Sequence, residues 1–259
     1  MRIVIEDVSK TFVDTKKKEV PALKNINFTI SDEEFVVLVG PSGCGKSTLL
    51  NIVGGLLSPT TGSVYFEGDN LGDKPPTLGI VFQEIALFPW RTVYENVVYG
   101  LQERKLSKAE QKEKGQYYID MVGLTGFENA YPKQLSGGMK ERAGIARALA
   151  IEPDLLLMDE PFSALDAQTR TIMQEELLTI WNRTKLSTLY VTHNIQEAVY
   201  LADRVIVLSR HPGQIKEIIQ IDLPKNGRND EEHREKFEQY VDDIWQLIRH
   251  DAEEALKEG

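Results

Sequence analysis

The segment Gly40–Ser47 holds the residues best suited to chemistry in this sequence. It reads GPSGCGKS and fits the pattern G-x-x-x-x-G-K-S/T, between an apolar run and a helical pattern. Glycines let backbone amides turn toward one anion, and a helix start behind them strengthens the attraction. Lys46 adds a positive charge for outer phosphates, and Ser47 adds a hydroxyl that can bind Mg²⁺. Such a match arises by chance in about one chain in a hundred of this length, so the segment predicts a nucleotide phosphate site.

Two neighbouring carboxylates, Asp159 and Glu160, directly follow the apolar run Leu155–Met158. Acids at the end of a buried parallel strand lie at the sheet edge where ligands bind in open α/β folds. Asp159 suits a role on Mg²⁺, and Glu160 suits a general base or a residue that positions water for attack on a γ-phosphate. Solvated acids at a strand end are the alternative, but the phosphate loop in the same chain favours the catalytic interpretation.

A second potential anion site begins at Ser136. Ser136, Gly137 and Gly138 stand at the start of a helical pattern, where a serine cap and free backbone amides attract negative charge. This segment has no lysine of its own. A lysine-free anion site suits a phosphate that is already held elsewhere.

The surrounding pattern predicts an α/β fold that can position these groups. Alternating apolar and polar residues predict antiparallel strands within residues 1–30, and the apolar run Phe35–Val39 predicts a buried parallel strand. The fold class is a mostly parallel sheet with an N-terminal antiparallel β subdomain and a helical subdomain inserted at about residues 92–150. Further strands are predicted at Ser63–Phe66, Leu78–Phe82, Leu155–Met158, Ser187–Thr192, Arg204–Leu208 and Ile215–Ile221, and helix caps at Thr92, Ser107, Asp166 and Asn194.

The C-terminal part of the chain is predicted to be a helical extension. Pro224–Gly227 has the composition of a linker, which divides a domain of residues 1–225 from an extension of residues 226–259. An amphipathic helix is expected to pack there on the body of the domain, with a dimer or regulatory contact as the alternative. Its predicted apolar face consists of Phe237, Val241, Ile244, Trp245 and Ile248.

Composition and charge restrict the classes of function. The 259 residues carry a net charge of −10, and residues 228–259 carry −6 of it, with eleven acidic and five basic side chains. This balance argues against broad binding to nucleic acid. The single cysteine excludes an internal disulfide and favours a reducing compartment. We expect neither a signal peptide nor a membrane-spanning segment, so a role at a membrane requires a partner.

Together these motifs resemble the ATP-binding cassette (ABC) family over nearly the whole chain. The resemblance implies a P-loop NTPase fold of ABC type with ATP and Mg²⁺ as ligands. Met139 departs from the family pattern, in which glutamine is common at this position. The ordered motifs are the phosphate loop Gly40–Thr48, Gln83, the signature Leu135–Met139, the acid pair Asp159–Glu160, the loop Ser163–Asp166, and His193.

The resemblance also implies a role for each matched residue. Phe12 would stack on the adenine where the family frequently has tyrosine, and a core aromatic is the alternative. The implied catalytic residues are Glu160, His193, Lys46 and Gln83, and the implied Mg²⁺ ligands are Ser47, Gln83 and Asp159. The implied nucleotide-binding residues are Phe12, Gly40, Pro41, Ser42, Gly43, Cys44, Gly45, Lys46, Ser47, Thr48, Ser136, Gly137, Gly138 and Asp166.

Resemblance to this family implies a working assembly as well. Two copies would face each other head to tail as a homodimer, with each ATP between the phosphate loop of one copy and Ser136–Gly138 of the other. A transport motor of this kind would act peripherally at the cytoplasmic face of the cell membrane, on a separate permease. A periplasmic or extracellular solute-binding protein would take part indirectly.

The runs Phe88–Val97 and Leu223–Arg228 resemble the nitrate, sulfonate and taurine importer group. An importer motor is therefore expected, with a small solute as cargo and no nucleic acid partner. The alternative is a soluble mechanical ATPase of DNA repair or chromosome organisation. Such chains have a long coiled coil between phosphate loop and signature, and no sustained heptads occur here between Lys46 and Leu135.

The segment Gln83–Trp90 is unusually apolar for a loop. A helix cap at Thr92 follows at once, which leaves these side chains little core in which to bury. We therefore predict that the segment is the docking groove for a permease helix. The alternative is that Leu87, Phe88 and Trp90 pack beneath the helical insertion and hold two subdomains together.

Cys44 lies inside the phosphate loop, beside Lys46 and near a helix start. Such surroundings favour a thiolate. The thiol is therefore expected to react with alkylating agents in the empty protein and to be protected by ATP. The alternative is that Cys44 is simply a small residue that fits the loop.

Overall fold

The computed structural model describes residues 1–13, 15–67, 76–104, 106–225, 227–228 and 230–257, with only the backbone of 250–257. The strands are β1 (Arg2–Val13), β2 (Glu19–Ile30), β3 (Phe35–Val39), β4 (Thr61–Glu67), β5 (Leu78–Val81), β6 (Leu155–Asp159), β7 (Thr188–Thr192), β8 (Arg204–Leu208) and β9 (Ile215–Gln220). The helices are α1 (Lys46–Val53), α2 (Val93–Val97), α3 (Tyr99–Glu103), α4 (Lys108–Met121), α5 (Gly137–Ala150), α6 (Ala167–Thr184), α7 (Ile195–Leu201) and α8 (Arg234–Lys257), with short 3-10 helices at Pro132–Gln134 and Glu231–His233.

The chain forms two compact units. Unit 1 consists of Met1–Lys74 and Ser187–Gly259, and unit 2 consists of Pro75–Leu186. The strands predicted with stated bounds from Phe35 onward all occur within two residues of those bounds, and both strands predicted within residues 1–30 are present. The proposed division into residues 1–225 and 226–259 stays a prediction, and Asn226 within its linker lies outside the described residues.

Unit 1 contains a three-stranded antiparallel sheet in the order β2-β1-β4. Ile3 pairs with Ile30 of β2 and with Phe66 of β4. Ile3 and Ile5 are buried while their neighbours along the strand are more exposed, because successive strand side chains point to opposite faces. The N-terminal alternation therefore correctly predicted a half-buried antiparallel sheet.

The parallel strands of unit 1 centre on β3. Strand β3 pairs in parallel with β7 on one side and β8 on the other, and β9 adds antiparallel to β8. Every residue of Phe35–Val39 is buried. A strand covered on both faces needs such a continuous apolar run. The central position of β3 fixes the start of the segment Gly40–Ser47, which follows Val39.

Helix α8 packs on α7 and β8 within unit 1. Ile244 and Ile248 are buried, whereas Trp245 is 46% exposed. The predicted apolar face was therefore wrong at Trp245. One residue step turns a helix by about 100°, so Trp245 projects beside the packed stripe rather than into it.

Unit 2 pairs β5 with β6 in parallel and contains the helices α2 to α6. The predicted capping boxes are present at Thr92–Glu95 and Ser107–Glu110, where each hydroxyl accepts from the glutamate amide and each glutamate accepts from the cap amide. These reciprocal bonds fix the starts of α2 and α4. Within the described residues, no helix is long and apolar enough to cross a membrane.

Candidate nucleotide site

The phosphate loop of unit 1 follows β3 and turns into α1. Gly43 (φ 76°) and Gly45 (φ 97°) take left-handed backbone conformations that other residues rarely adopt. A Cβ on Gly45 would lie 2.7 Å from Leu23 Cδ2, so β2 forms a wall directly behind the loop. The glycine at position 45 is therefore required by available space as well as by backbone conformation.

Lys46 is 5% exposed at the first residue of α1. Its ammonium group donates hydrogen bonds to Gly40 O at 2.9 Å and to Pro41 O at 3.1 Å. The loop thus holds a buried positive charge with its own carbonyl groups. Ser47, the next residue, is exposed at the helix start. An anion that enters the loop meets a charge already in place.

His193, in unit 1, follows β7 at the same edge of the sheet as the phosphate loop. Val39 pairs with Thr192 in the parallel β3–β7 ladder, so Gly40 and His193 follow neighbouring strand ends. His193 is exposed. Asn194 holds the following turn: its amide donates to Thr192 Oγ1 at 3.0 Å, and its Oδ1 accepts from Glu197 N at 3.1 Å. The structure therefore brings the predicted loop and the predicted histidine together.

Phe12 lies near the end of β1 and is 41% exposed. It is not a core aromatic, which removes the alternative interpretation of this residue. The Lys10 ammonium group lies 5.2 Å from the ring centroid, a cation–π distance. An open aromatic face agrees with adenine stacking, which stays a prediction.

Unit 2 brings Gln83 together with the acid pair. Val81 pairs with Met158 in the parallel β5–β6 ladder, so the chain continues to Gln83 and to Asp159–Glu160 from adjacent strand ends. Glu160 has φ 44°, a left-handed conformation that costs energy for a residue with a side chain. Ser163 N donates to Glu160 O at 3.1 Å and closes the turn. Backbone strain of this kind clusters at functional sites.

The signature segment starts α5 and is open to solvent. Ser136 caps the helix, with its hydroxyl accepting from Met139 N at 3.3 Å, and both Ser136 and Gly137 are exposed. A Cβ on Gly138 would lie 3.4 Å from Thr169 Cγ2 of α6. The glycines therefore keep one side of the helix start against α6 and leave its amide end accessible.

Asp166 ends the loop that follows the acid pair and caps α6. One oxygen accepts from the amides of Gln168 at 3.1 Å and Thr169 at 3.0 Å, and the other accepts from Thr169 Oγ1 at 2.7 Å. The hydrogen bond from the Thr169 backbone amide is the largest cause that lowers the pKa of Asp166. The predicted helix cap is confirmed, and the predicted contact with nucleotide stays a prediction.

Glu141 lies one turn into α5 and is only 2% exposed. Its Oε2 is buried without a hydrogen-bond partner among the described residues. Burial away from water raises the pKa of Glu141 to about 8. Burial thus favours the neutral form of this carboxyl group, about one helical turn beyond the signature glycines. Sequence reasoning missed it because glutamate in a helix is ordinarily exposed.

The expected reactivity of Cys44 disagrees with the structure. Cys44 is 1% exposed, and a Cβ on Gly40 would lie only 2.9 Å from its Sγ. The thiol faces the packed underside of the loop, where buried cysteines are unreactive. Cys44 is therefore a small residue that fits the loop, and a nucleotide can meet only its backbone.

The segment Gln83–Trp90 is partly packed and partly exposed. Leu87 is buried, and the half-buried Phe88 ring lies 4.7 Å from the Tyr99 ring. Trp90 is 71% exposed, and Phe82 just before the segment is 41% exposed. The expectation that these side chains have little core in which to bury was therefore wrong for Leu87, whereas the aromatic side chain of Trp90 is exposed.

Asn96 holds this segment and was missed by sequence reasoning. It is fully buried, and its Oδ1 accepts from Phe88 N at 2.8 Å. Its Nδ2 donates to Phe88 O at 3.2 Å, Arg91 O at 3.1 Å and Thr92 O at 2.9 Å. Arg147 of α5 adds a hydrogen bond to Ala86 O at 2.5 Å. Polar residues within helical patterns give no signal of such backbone contacts.

Comparison with known proteins identifies the family. Residues 23–163 match the family model described as ABC transporter, which covers more than half of the chain. The chain therefore belongs to the ABC transporter family, and it is an ABC-type ATPase with the mixed sheet and small antiparallel sheet of that fold.

Individual relatives resemble the chain over most of its length. It is 46% identical to an uncharacterized ABC transporter ATP-binding protein of Methanocaldococcus jannaschii, over 99% of this chain and 95% of the relative. It is 46% identical to the nitrate import ATP-binding protein NrtD of Synechocystis sp., over 96% of each. It is 44% identical to the aliphatic sulfonates import ATP-binding protein SsuB of Bacillus cereus, over 91% of this chain and 94% of the relative.

A solved structure of a dimeric ATP-binding cassette in a post-hydrolysis state, bound to ADP and Pi, superimposes with a TM-score of 0.73. It is 34% identical and covers 86% of this chain and 100% of its own chain. A second solved structure, of a dimeric bacterial ABC transporter cassette, gives the same values. The fold and the ATPase class predicted from the sequence are confirmed.

Proposed function

We propose that this chain is the ATP-hydrolysing motor subunit of an ABC importer, working as a homodimer on a separate membrane permease. The observation that carries the proposal is the exposed, lysine-free start of α5 at Ser136 and Gly137. An anion site without its own charge is useful where a partner copy presents a phosphate that is already bound. The dimeric state of the cassettes that resemble this chain supports the same arrangement.

ATP binding begins at the phosphate loop. Lys46 exchanges its bonds to Gly40 O and Pro41 O for bonds to the outer phosphates. The loop amides and the start of α1 hold the remaining phosphate oxygens, with Gly40–Thr48 as the contact region. Phe12 offers its exposed ring to the adenine.

Mg²⁺ is the proposed partner of the bound ATP, with Ser47, Gln83 and Asp159 as its protein ligands. Among the described residues no group of three or more His, Cys, Asp or Glu side chains forms a metal cage. Mg²⁺ binds with substrate phosphates and one or two protein oxygens rather than in an all-protein cage. When bound, the ion neutralises charge on the β- and γ-phosphates.

Hydrolysis requires a positioned water and a closed site. Glu160 is the proposed base or water-positioning group, and Gln83 and His193 are the proposed contacts of the γ-phosphate end. Closure of two copies brings Ser136–Gly138 and the loop with Asp166 against the opposite ATP, which excludes water and strengthens electrostatic stabilisation of the transition state. Product formation adds negative charge at the interface, and the dimer opens.

The permease is proposed to dock on the segment Gln83–Trp90. Trp90 is the proposed anchor because it is 71% exposed and aromatic. Phe88 is half-buried instead, with its ring 4.7 Å from the Tyr99 ring and its centroid 5.6 Å from the Arg91 guanidinium. Movement of the segment on ATP binding would move whatever is docked there.

The proposed cargo is a small oxyanion or organic sulfonate of the nitrate, sulfonate or taurine type. The names of two relatives, a nitrate and an aliphatic sulfonates import ATP-binding protein, support this class. Cargo choice belongs to the permease and to a solute-binding protein outside the membrane, while this subunit stays at the cytoplasmic face.

The test of the proposed catalytic role is Glu160→Gln in the purified subunit. Neutralising the carboxylate removes the base and relieves repulsion against the γ-phosphate, while the amides of the phosphate loop remain. We expect ATP affinity close to wild type, loss of steady-state phosphate release, and a stable dimer in MgATP by light scattering. Phosphate release near the wild-type rate would show that Glu160 has another role.

The docking proposal is tested by Trp90→Ser with the permease co-expressed. We expect a folded subunit with unchanged ATPase activity that no longer co-purifies with the permease. Tyr117→Ser is a matched control, because Tyr117 is also an exposed aromatic of unit 2, at 58%. Normal assembly and transport with Trp90→Ser would refute docking at this residue.

A further inference from the structure

The segment Leu223–Arg228 is more than a linker. Arg228 is 1% exposed, although its neighbours in sequence are those of a turn. Burial lowers the pKa of Arg228 to about 10, so the guanidinium group stays charged at neutral pH. A buried charge needs hydrogen-bonding partners on all sides.

The partners of Arg228 are backbone carbonyl groups. Nη1 donates to Val199 O at 2.8 Å and to Tyr200 O at 2.9 Å, both in the last turn of α7. Nε donates to Pro224 O at 3.1 Å and Nη2 to Leu223 O at 3.2 Å. One side chain thus ties its own segment to the carboxyl end of α7.

The last four carbonyl groups of a helix have no partner within the helix. In α7, Ala198 O accepts from Ala202 N at 3.0 Å, and Leu201 O accepts from Lys225 Nζ at 2.9 Å. Arg228 satisfies Val199 O and Tyr200 O between them. The segment therefore supplies three of the four missing bonds, with two cations at the negative end of the helix dipole.

Lys225 connects the same segment to the core strand. Its ammonium group lies 2.9 Å from Asp203 Oδ1 and 5.1 Å from the centroid of the Phe35 ring. Asp203 Oδ2 in turn accepts from Phe35 N at 2.8 Å. The end of α7 is thereby fixed to the beginning of β3, the strand that leads into the phosphate loop.

The opposite end of α7 begins at Asn194, directly after His193. A helix of this length is about 10 Å long and rigid, so a shift at its carboxyl end displaces its amino end. We propose that Arg228 is a positioning residue for ATP hydrolysis, which holds His193 in place by fixing the carboxyl end of α7. This rests on the proposed role of His193 at the γ-phosphate.

Catalysis is sensitive to such displacement, because a misplacement of about 1 Å can cost a hundredfold in rate. The phosphate loop stands on β3 and keeps its own supports, Leu23 and Gly213, near Gly45 and Cys44. Loss of Arg228 is therefore expected to lower kcat with little change in ATP affinity. A purely structural role would lower both together with the fraction of folded protein.

The first experiment compares Arg228→Met with Lys236→Met. Lys236 is a matched control because it also ties the C-terminal part down, to Asp222 at 2.7 Å, without contact to α7 carbonyls. We expect Arg228→Met to lower kcat about tenfold to a hundredfold, with ATP dissociation constants within about twofold of wild type. We expect Lys236→Met to behave as wild type. Wild-type kcat in folded Arg228→Met overturns the inference.

Arg228→Lys keeps the test decisive if Arg228→Met fails to fold. Lysine retains the charge but cannot span four carbonyl groups, since it lacks the fork of a guanidinium. If Arg228→Met folds, a kcat of Arg228→Lys between those of wild type and Arg228→Met supports the inference. If Arg228→Met is unfolded, a reduced kcat of folded Arg228→Lys supports it. Full activity of Arg228→Lys together with unfolding of Arg228→Met shows a structural role and overturns it.

His193→Ala separates the inference from the function on which it rests. If Arg228 acts through His193, the two substitutions are not additive, and Arg228→Met costs no further kcat in the His193→Ala background. Additive losses overturn the inference alone. Wild-type turnover of His193→Ala would instead overturn the proposed role of His193 in hydrolysis, whatever Arg228→Met does.

Discussion

The starts of α1 and α5, the two proposed anion-binding helix ends, are built in opposite ways. Helix α1 begins after Gly45 in a left-handed conformation and carries the buried charge of Lys46. Helix α5 begins after an exposed serine cap and has no charge of this kind. Leu23 packs against Gly45 at the first, and the second is exposed at Ser136 and Gly137.

This difference suits two different roles. The start of α1 would hold a phosphate, and the start of α5 would complete the site around a phosphate held by another copy. A buried ammonium group supplies attraction without help from another chain, which suits the proposed role of α1 in holding the nucleotide. Exposed amides at α5 add only the favourable end of a helix dipole, typically about 1 kcal/mol or less at a surface. Such an end contributes when a closed interface excludes water and raises its electrostatic strength.

The largest effect is expected from Lys46→Met, which removes the charge that distinguishes α1. We expect ATP affinity to fall about a hundredfold, corresponding to about 3 kcal/mol, measured by titration calorimetry. Lys24→Met, at an exposed position of β2, is the control and should bind ATP normally. Affinity within about threefold of wild type would erase the difference between the two helix starts.

Glu141→Gln tests the interior of α5 through pH. The folded pKa of Glu141 is about 8, above its ordinary value of 4.5. Stability from its neutral form is full below the unfolded pKa and is lost as pH rises through the folded pKa. From pH 6 to pH 8 the wild type should therefore lose about 2 kcal/mol of unfolding free energy relative to Glu141→Gln.

Urea unfolding of both proteins at several pH values provides the measurement. Glu175→Gln, at an exposed position of α6, controls for the loss of one carboxylate. Parallel curves for wild type and Glu141→Gln would mean that Glu141 is solvated in the folded protein.

Ser136→Ala removes the cap that defines the open start of α5. We expect a loss of about 1 kcal/mol in stability, unchanged ATP binding by the monomer, and roughly tenfold weaker MgATP-dependent dimerisation in the Glu160→Gln background. Ser107→Ala, which removes an equivalent cap on α4, should cost similar stability but leave dimerisation unchanged. A lower ATP affinity of the Ser136→Ala monomer would mean that the start of α5 also binds nucleotide within a single copy.

The smallest effect is expected for Cys44, which lies in the phosphate loop before α1. Because the thiol is buried, maleimide should label the folded protein slowly and equally with or without MgATP, and quickly in urea. Intact mass spectrometry follows the reaction. Rapid labelling that ATP prevents would show that the loop around α1 opens in the empty protein.

Local signals made most of the fold predictable. The hydroxyl and carboxylate spacings at Thr92 and Ser107 specify caps through bonds within four residues, and the apolar run of β3 specifies burial on both faces. The phosphate loop was predictable for the same reason, because its glycines and Lys46 act within eight consecutive residues.

Contacts between distant residues were not predictable in this way. Arg228 lies in a turn-like sequence, yet it bonds Val199 and Tyr200, 29 and 28 residues away. Burial of Glu141 depends on neighbours that sequence spacing does not reveal. The exposure of Trp245 depends on how α8 rotates against α7 and β8. Each outcome follows from tertiary packing rather than from residue pattern.

The hydrogen bonds of Asn96 fix the backbone of the segment Gln83–Trp90 without constraining which side chains it exposes. They join a buried amide to main-chain atoms of Phe88, Arg91 and Thr92, groups that every amino acid possesses. Exposed positions such as Ala86, Pro89 and Trp90 are free of that constraint. Under the docking proposed for this segment, the same scaffold acquires specificity for a different permease by substitution at these positions, with Asn96 retained, and transporters can diverge in assembly partner without a change of fold.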